Sequence, residues 1–465
     1  MITKLGEKFT KLFLKYMPDA FVFAMLLTLL VAISAWLWLG ASPMEIIISW
    51  YDGFFDLLAF GMQIVLIIIT GFTIALSPIV KKGIDYLTRF IKTPGQVYFF
   101  VVMIGMLLCL ISFGWIVITA VLARELAMRI KGINYPFLIA CVYFSMNSWV
   151  LGLSSSIPLL LNTEENYLIK ANVLSSVIPT SFTLGSYLNM AMMALMVIGA
   201  PILMFLLIPK NNASKELKKM IVNSDDDAKV SIKEEALSFK LPFSSLSDKL
   251  NGSKILQAII ALMGLFYIVI HFSTKGLDLN FNIMIFIFLI LGLILHQTPM
   301  RYVIAMKRAS SNISGILFQY PFYAGIMGIM LYTGLGEELA QLLASVATID
   351  SYPFYAYVTG GMVNFAIPSA GGEFAVVGPS IINAVREIGA GMSEWEITTM
   401  ISRASLSVAY GESLSNMIQP FYLLLVIPIM TKGVKIQARD IMGYLAIPFL
   451  VFFILQSILV VWMPI

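Results

Sequence analysis

Charge is scarce. Asp, Glu, Lys and Arg make up 12% of the 465 residues, about half the ~25% of an average soluble domain. So few charges exclude a water-soluble globule. The net charge is only +4, so no nucleic-acid partner is expected. Cysteine and histidine are almost missing, at two residues each. Cys109 and Cys141 lie inside apolar runs, as small buried hydrophobes do, so neither a disulfide framework nor a thiolate metal site is expected. His271 and His296 sit near the ends of apolar runs, away from every polar cluster. A membrane enzyme would need a nucleophile–base pair or a metal set. None is apparent, so no catalytic residue and no cofactor is expected, apart from Na+ if it serves as coupling ion. A cleavable signal peptide is not evident either. The first long apolar run starts near Phe21 and is long enough to span a bilayer.

What is present is apolar. Hydrophobic residues reach 59% and mean hydropathy is +0.89, so the chain is expected to be an all-α integral membrane protein. Spanning needs ~20 apolar residues. Nine transmembrane helices are predicted, near 18–40, 55–77, 136–162, 185–208, 255–272, 280–297, 312–332, 398–431 and 441–463. Segments 96–130 and 353–388 are too long for one span and carry polar tips at mid-length. Each reads as a re-entrant hairpin. The positive-inside rule supports that count. Basic clusters fall in 1–17, 78–95, 124–135, 209–254, 298–311 and 432–440, whereas 41–54, 163–184, 273–279, 333–352 and 389–397 are mostly acidic. Taking either hairpin as a single span would put several basic loops outside. The N-terminus is therefore expected in the cytoplasm and the C-terminus outside.

Two stretches follow one unusual design. Hairpin ISFGWIVITA precedes the interrupted helix MNSWVLGLSSSIPLLL; hairpin FAIPSAGGEFAVV precedes YGESLSNMIQPFYLLL. Each unit also starts with two spans and an amphipathic arm, PIVKKGIDYLTRF or GLGEELAQLLASV, and ends with a further span. The first unit enters from the cytoplasm and the second from outside, which makes them inverted repeats. Residues 1–208 form the first repeat and 209–254 a cytoplasmic connector. Residues 255–465 form the second repeat plus one extra helix, 255–272. The acidic triplet Asp225–Asp227 reads as part of the solvated connector, and SIKEEALSFKLPF as a surface helix.

Broken helices survive in hydrocarbon only where they line a cavity, because each unpaired peptide group costs several kcal/mol. Paired breaks are the best sequence pointer to a transported substrate. In the first break Asn147 and Ser148 precede Gly152, then Ser154, Ser155, Ser156 and Pro158. Glycine permits unwinding; serine and proline suit a helix restart. A restarted helix directs free N–H groups and partial positive charge at the gap, which suits a carboxylate. The second break is expected at Gly411, with Ser413, Ser415, Asn416, Gln419 and Pro420 repeating that logic. The inner tip offers Ser112 and Gly114. The outer tip offers Pro368, Ser369, Gly371 and Gly372. Asn364, Glu373 and Glu412 are the candidates for the coupling ion, since an ionisable group at membrane depth is a functional hypothesis by default. Arg403 could pair with either carboxylate, hold the substrate, or snorkel outward. Gln63, Gln319, Tyr320 and Tyr323 fit either a helix-packing stripe or a site.

MPDAFVFAMLLTLL, LLAFGMQIVLIIITG, QYPFYAGIMG, NFAIPSAGG and AYGESLSNMIQPF, in that order, together resemble the bacterial short-chain fatty acid transporter family. Its characteristic member is an acetoacetate or short-chain fatty acid permease of the cytoplasmic membrane. The resemblance covers nearly the whole chain except 209–254. It implies the ion-transporter superfamily of carboxylate symporters, with a scaffold domain that is usually dimeric and an elevator-type transport domain. The implied function is Na+- or H+-coupled movement of small monocarboxylates, with a dicarboxylate, amino acid or peptide as the alternative cargo. The chain departs from the family pattern at three points. The outer tip has Glu373 where His is common, Ser413-Leu414-Ser415 stands where an aromatic is usual, and Ser112 stands in place of Asn.

Overall fold

Capping residues set where the helices begin. Ser42 and Thr93 each close a capping box, with Glu45 and Gln96, ahead of a proline at the first helical position. Ser393 does the same with Glu396, without a proline. Asn134, Ser253 and Asn280 each accept the N–H of the third residue of the helix that follows. Such a cap satisfies a donor that the helix leaves open and contributes ~1 kcal/mol.

The computed structural model describes residues 20–209, 215–221, 231–239, 245–276, 278–310, 314–364, 367, 369–419, 422–431, 434–436 and 438–465. The basic N-terminal cluster, Asp225–Asp227, Pro368, Pro420 and Lys432 lie outside the described residues. Within them the architecture is all-helical. The first half runs α1 (Ala20–Leu39), α2 (Pro43–Gly53), α3 (Leu58–Ala75), α4 (Pro78–Leu87), α5 (Pro94–Ile111), α6 (Ile116–Arg129), α7 (Tyr135–Ser145), α8 (Ser156–Leu161) and α9 (Tyr187–Leu206). The connector holds α10 (Ile232–Ser238) and α11 (Leu246–Asn251), followed by α12 (Lys254–Lys275). The second half runs α13 (Phe281–His296), α14 (Pro299–Ser310), α15 (Ser314–Tyr332), α16 (Leu335–Val346), α17 (Tyr352–Val363), α18 (Ala370–Ile388), α19 (Glu394–Ser415), α20 (Leu423–Met430) and α21 (Ala446–Trp462). The element order of α1–α9 thus recurs in α13–α21. By length and composition, α3, α5, the α7–α8 segment, α9 and α12 could each cross a membrane; α13, α21 and Ala24–Leu39 are shorter apolar helices. In α9 a π turn at Leu195–Gly199 directly precedes Pro201, which has no N–H to give the helix ladder.

The helices pack as two groups. In one, α1 and α2 lie on α15, and α3 lies on α13, α14 and α15. In the other, α5 packs on α6, α7 and α9, while α17 packs most extensively on α19. The groups meet where the turn Phe113–Trp115 touches α3 and where α18 lies against α15 and α16.

Glycine makes the second group possible through close approach. A Cβ at Gly152 would lie 1.8 Å from the Leu110 carbonyl oxygen, and one at Gly411 would lie 1.9 Å from that of Tyr357. This revises the sequence expectation that these glycines unwind their helices. Gly152 has an ordinary extended backbone (φ −121°), and Gly411 lies inside α19, which continues to Ser415.

Gly152→Ala is therefore expected to lower the stability against thermal unfolding by at least the ~1–3 kcal/mol of an overpacked core. Gly83→Ala, where a Cβ meets nothing within 4 Å, should leave it unchanged or raise it by up to ~1 kcal/mol. Equal melting curves for the two variants in detergent would refute the close-approach account.

Candidate functional site

At the first break the chain leaves α7 in 3₁₀ turns, Met146–Leu151, and restarts at Ser156 with Ser155 as N-cap. The restart lies where the Ser-Ser-Ser-Ile-Pro run predicts it. The second break lies later than expected. There α19 runs through Gly411 to Ser415, 3₁₀ turns span Asn416–Ile418, and helix resumes only at Leu423. The cluster from Glu412 to Asn416 therefore ends a helix, where free groups are carbonyls. It does not start one, so Ser415 and Asn416 cannot provide the second anion-binding N-terminus that the sequence suggested. Each residue was assigned by its neighbours in sequence, whereas the contact between α17 and α19 fixes the register.

Each tip is held between a break and a helix of the other group. At the inner tip, Phe113 N donates to Ser154 Oγ (2.9 Å), and Trp115 Nε1 donates to the Gly71 carbonyl of α3 (3.1 Å). Ser112 also faces Gly71, and Gly114 lies on the backbone of Gly71 and Phe72. At the outer tip, Ser369 caps α18 and its hydroxyl lies 3.2 Å from that of Tyr320 in α15. Gly371 meets Phe60 and Tyr320, and Gly372 meets Tyr323. Tyr320 is thus part of the tip's seat, and Tyr323 donates to Gln319 (3.1 Å). Gln63 donates to Asn282 (2.9 Å) and serves helix packing.

Asn364 ties the outer hairpin to the second break. Its Nδ2 faces the Glu412 carbonyl (3.0 Å), Ser415 Oγ (2.6 Å) and Asn416 Oδ1 (2.9 Å). Asn416 Nδ2 donates to Glu412 Oε1 (3.1 Å), and Gln419 Nε2 donates to Asn416 Oδ1 (2.7 Å). The two breaks touch directly, because Ser413 Oγ donates to the Asn147 carbonyl (2.7 Å). Ser148 instead turns away and donates to the Met106 carbonyl of α5 (2.8 Å).

The buried polar atoms left without a partner differ between the two breaks. At the first, they are Asn147 Nδ2, Trp149 Nε1 and the hydroxyls of Ser155 and Ser156. At the second, they are Asn364 Oδ1, Glu412 Oε2 and both carboxylate oxygens of Glu373. One side offers donors, the other acceptors. Glu373 and Glu412 are wholly buried, and no salt bridge joins either to a cation among the described residues. Arg403 neutralises neither. Its guanidinium donates to the Met463 carbonyl beyond α21.

Several participants were not apparent from sequence. Tyr143 donates to the carbonyls of Asn416 (2.7 Å) and Gln419 (2.9 Å), bridging the halves. Its place one helical turn before Asn147 was the available signal. Phe113 packs edge-on to Trp149 (5.4 Å) and Tyr422 (5.3 Å). The two histidines lie outside the site, His271 beside the Asp278 carbonyl and His296 beside that of Thr73.

Known proteins share the fold and the family of this chain. The YdaH transporter of Alcanivorax borkumensis has the same fold, with a TM-score of 0.59 and 15% identity over 96% of this chain and 98% of that one. Neisseria gonorrhoeae MtrF, whose structure was described as illuminating a class of antimetabolite efflux pumps, gives a TM-score of 0.54 and 14% identity over 96% and 95%. Sequence relatives are nearer. A protein of Haemophilus influenzae named after short-chain fatty acid transport is 34% identical over 449 residues, and one of Escherichia coli K12 is 35% identical over 446; each alignment covers 96% of both chains. The short chain fatty acid transporter family matches residues 1–463, and the chain belongs to that family of multi-pass membrane transporters.

Proposed function

We propose that this protein is a secondary active transporter that carries small monocarboxylates, such as acetoacetate or butyrate, across the bacterial cytoplasmic membrane together with Na+ or H+. The observation that carries the reading is the set of unpartnered polar atoms at Asn147, Trp149, Ser155 and Ser156 of the first break, all able to donate, and at Asn364, Glu373 and Glu412 near the second, the two breaks meeting at the Ser413–Asn147 hydrogen bond. A buried polar group without a partner costs ~1–3 kcal/mol, and a charged one more. Donors suit the substrate carboxylate, and acceptors suit the cation. A carboxylate and a cation ~4 Å apart attract by ~4 kcal/mol at an effective dielectric of 20, so each ligand favours binding of the other. That is the thermodynamic basis of symport.

Two carboxylates in the site disfavour a dianion, which weighs against a dicarboxylate cargo. Alternating access would come from an elevator movement of the group that contains the breaks, past the group of α1–α3 and α13–α15, in a homodimer. The recurrence of α1–α9 in α13–α21 supports two inverted repeats with re-entrant hairpins. The distribution of basic residues supports a cytoplasmic N-terminus and an outside C-terminus.

Liposomes carrying the purified protein test this. Labelled butyrate or acetoacetate is expected to enter under an inward Na+ gradient or an acid-outside pH gradient; no protein-dependent uptake under either would end the assignment. Glu373→Gln should abolish the response to the driving gradient while passive exchange of labelled for unlabelled substrate continues. A loss limited to pH-driven uptake identifies a proton, and an unaltered gradient response removes Glu373 from coupling.

Asn147→Ala takes a donor from the substrate carboxylate. A hydrogen bond to a charged group contributes ~1.5–3 kcal/mol, so the KM for butyrate is expected to rise roughly 10-fold or more, with the coupling ratio unchanged. An unaltered KM would place the anion elsewhere.

A further inference from the structure

The connector folds back onto the helices that follow it. Helix α10 packs along α14, where Arg308 pairs with Glu235, and α11 touches α14 as well. Between these helices and the start of α12 lies a cavity of about 170 Å³, the room of five to six waters at ~30 Å³ each. Its lining includes Lys233, Lys254 and Arg301, with Asp248 as the acidic member and Asn251 and Thr298 as neutral polar ones. None of the three cations forms a salt bridge among the described residues.

Apolar side chains surround this basic pocket and stand open. Leu237, Phe239, Leu246 and Ile255 are 50, 57, 73 and 75% exposed, and only 22% of the apolar window of α12 is buried within the protein. Apolar surface of this extent, continuous with a membrane span, belongs against lipid. The cavity therefore sits at the end of a span, at the depth where hydrocarbon gives way to headgroups. A pocket of Lys and Arg between helices at that depth matches the phosphate of an anionic lipid in charge and position.

We propose that this cavity is a binding site for an anionic phospholipid, with Lys233, Lys254 and Arg301 around the phosphate and Leu237, Phe239 and Ile255 against the first acyl carbons. Zwitterionic phosphatidylcholine would bring its own cation toward a pocket of net positive charge and is disfavoured. A free phosphate would leave the apolar rim uncovered.

Native mass spectrometry of the full-length protein, released from micelles containing phosphatidylglycerol or phosphatidylcholine, tests the site. Phosphatidylglycerol should be retained in preference. Neutralising Lys233, Lys254 and Arg301 to Gln should weaken its retention by roughly 5-fold per cation, while Lys249→Gln, outside the lining, should have no effect. Equal retention of the two lipids, or full retention by the triple variant, would overturn the proposal. So would equally tight binding of soluble glycerol phosphate, which would mark a soluble-anion site. If the triple variant melts below the wild type in phosphatidylcholine, Lys254→Gln alone decides by the same criterion.

Discussion

A peptide group inside hydrocarbon must find a partner, and that rule organises this molecule. Two broken helices expose backbone that a continuous helix would have satisfied. The breaks meet this demand through each other and through the tips. Leu153 N donates to the Leu110 carbonyl (2.7 Å), Phe113 N to Ser154, and Tyr143 to two carbonyls of the opposite break. The first two bonds join the first break to the tip some forty residues earlier, and only Tyr143 among these three reaches across to the other half of the chain. Gly152 and Gly411, which have no room for a Cβ, serve the same end. They bring backbone close enough for these partners to be reached.

The satisfaction is incomplete, and its gaps are sorted by sign. Both halves supply the same order of elements, yet the polar residues at their breaks differ in kind. The first break restarts at a serine run in which the Ser155 and Ser156 hydroxyls are unengaged; the second ends on Glu412, Ser415 and Asn416, which hydrogen-bond with one another. Asn416 and Asn364 spend their N–H groups inside the network, which leaves oxygens as the remainder. Halves with the same order of elements thus carry an asymmetric site, through side-chain chemistry and because one polar cluster restarts a helix while the other ends one.

Much of this was legible from the chain, for reasons that particular residues make plain. Apolar runs locate the helices α3, α5, α7–α8, α9 and α12, long enough to cross a membrane, because hydrophobic length acts locally. The Ser155–Pro158 restart was readable because an N-cap is a property of four or five consecutive residues. The second break was not, because Gly411 has the composition of a breaker and the position of a contact. What decides between them is the Tyr357 carbonyl, more than fifty residues earlier in the chain. The seat of the outer tip was half legible: Tyr320 and Tyr323 stood out as polar aromatics in an apolar span, but their partners Ser369 and Gly372 are non-local. Arg403 shows the reverse failure. Its sequence distance from Glu412 invited a pairing, yet its guanidinium is spent on the chain's C-terminal end.

The tips also show where the proposed movement costs least. Within the group that contains the breaks, Asn364 alone engages three acceptors, and removing such a knot would strand buried groups at ~1–3 kcal/mol each. Across to the other group, the inner tip makes one hydrogen bond from its tryptophan to Gly71, and the outer tip one between Ser369 and Tyr320. The remaining contacts of α18 with the other group include apolar surfaces such as Phe60 of α3 against Gly371 and the Tyr323 ring of α15 against Gly372, and apolar contact is non-directional. In the proposed movement, sliding would exchange one apolar neighbour for another and break few polar bonds. The glycines that let each tip press against its seat add no side chain of their own to interlock, so the surface that would seal the site is also the one along which it would part.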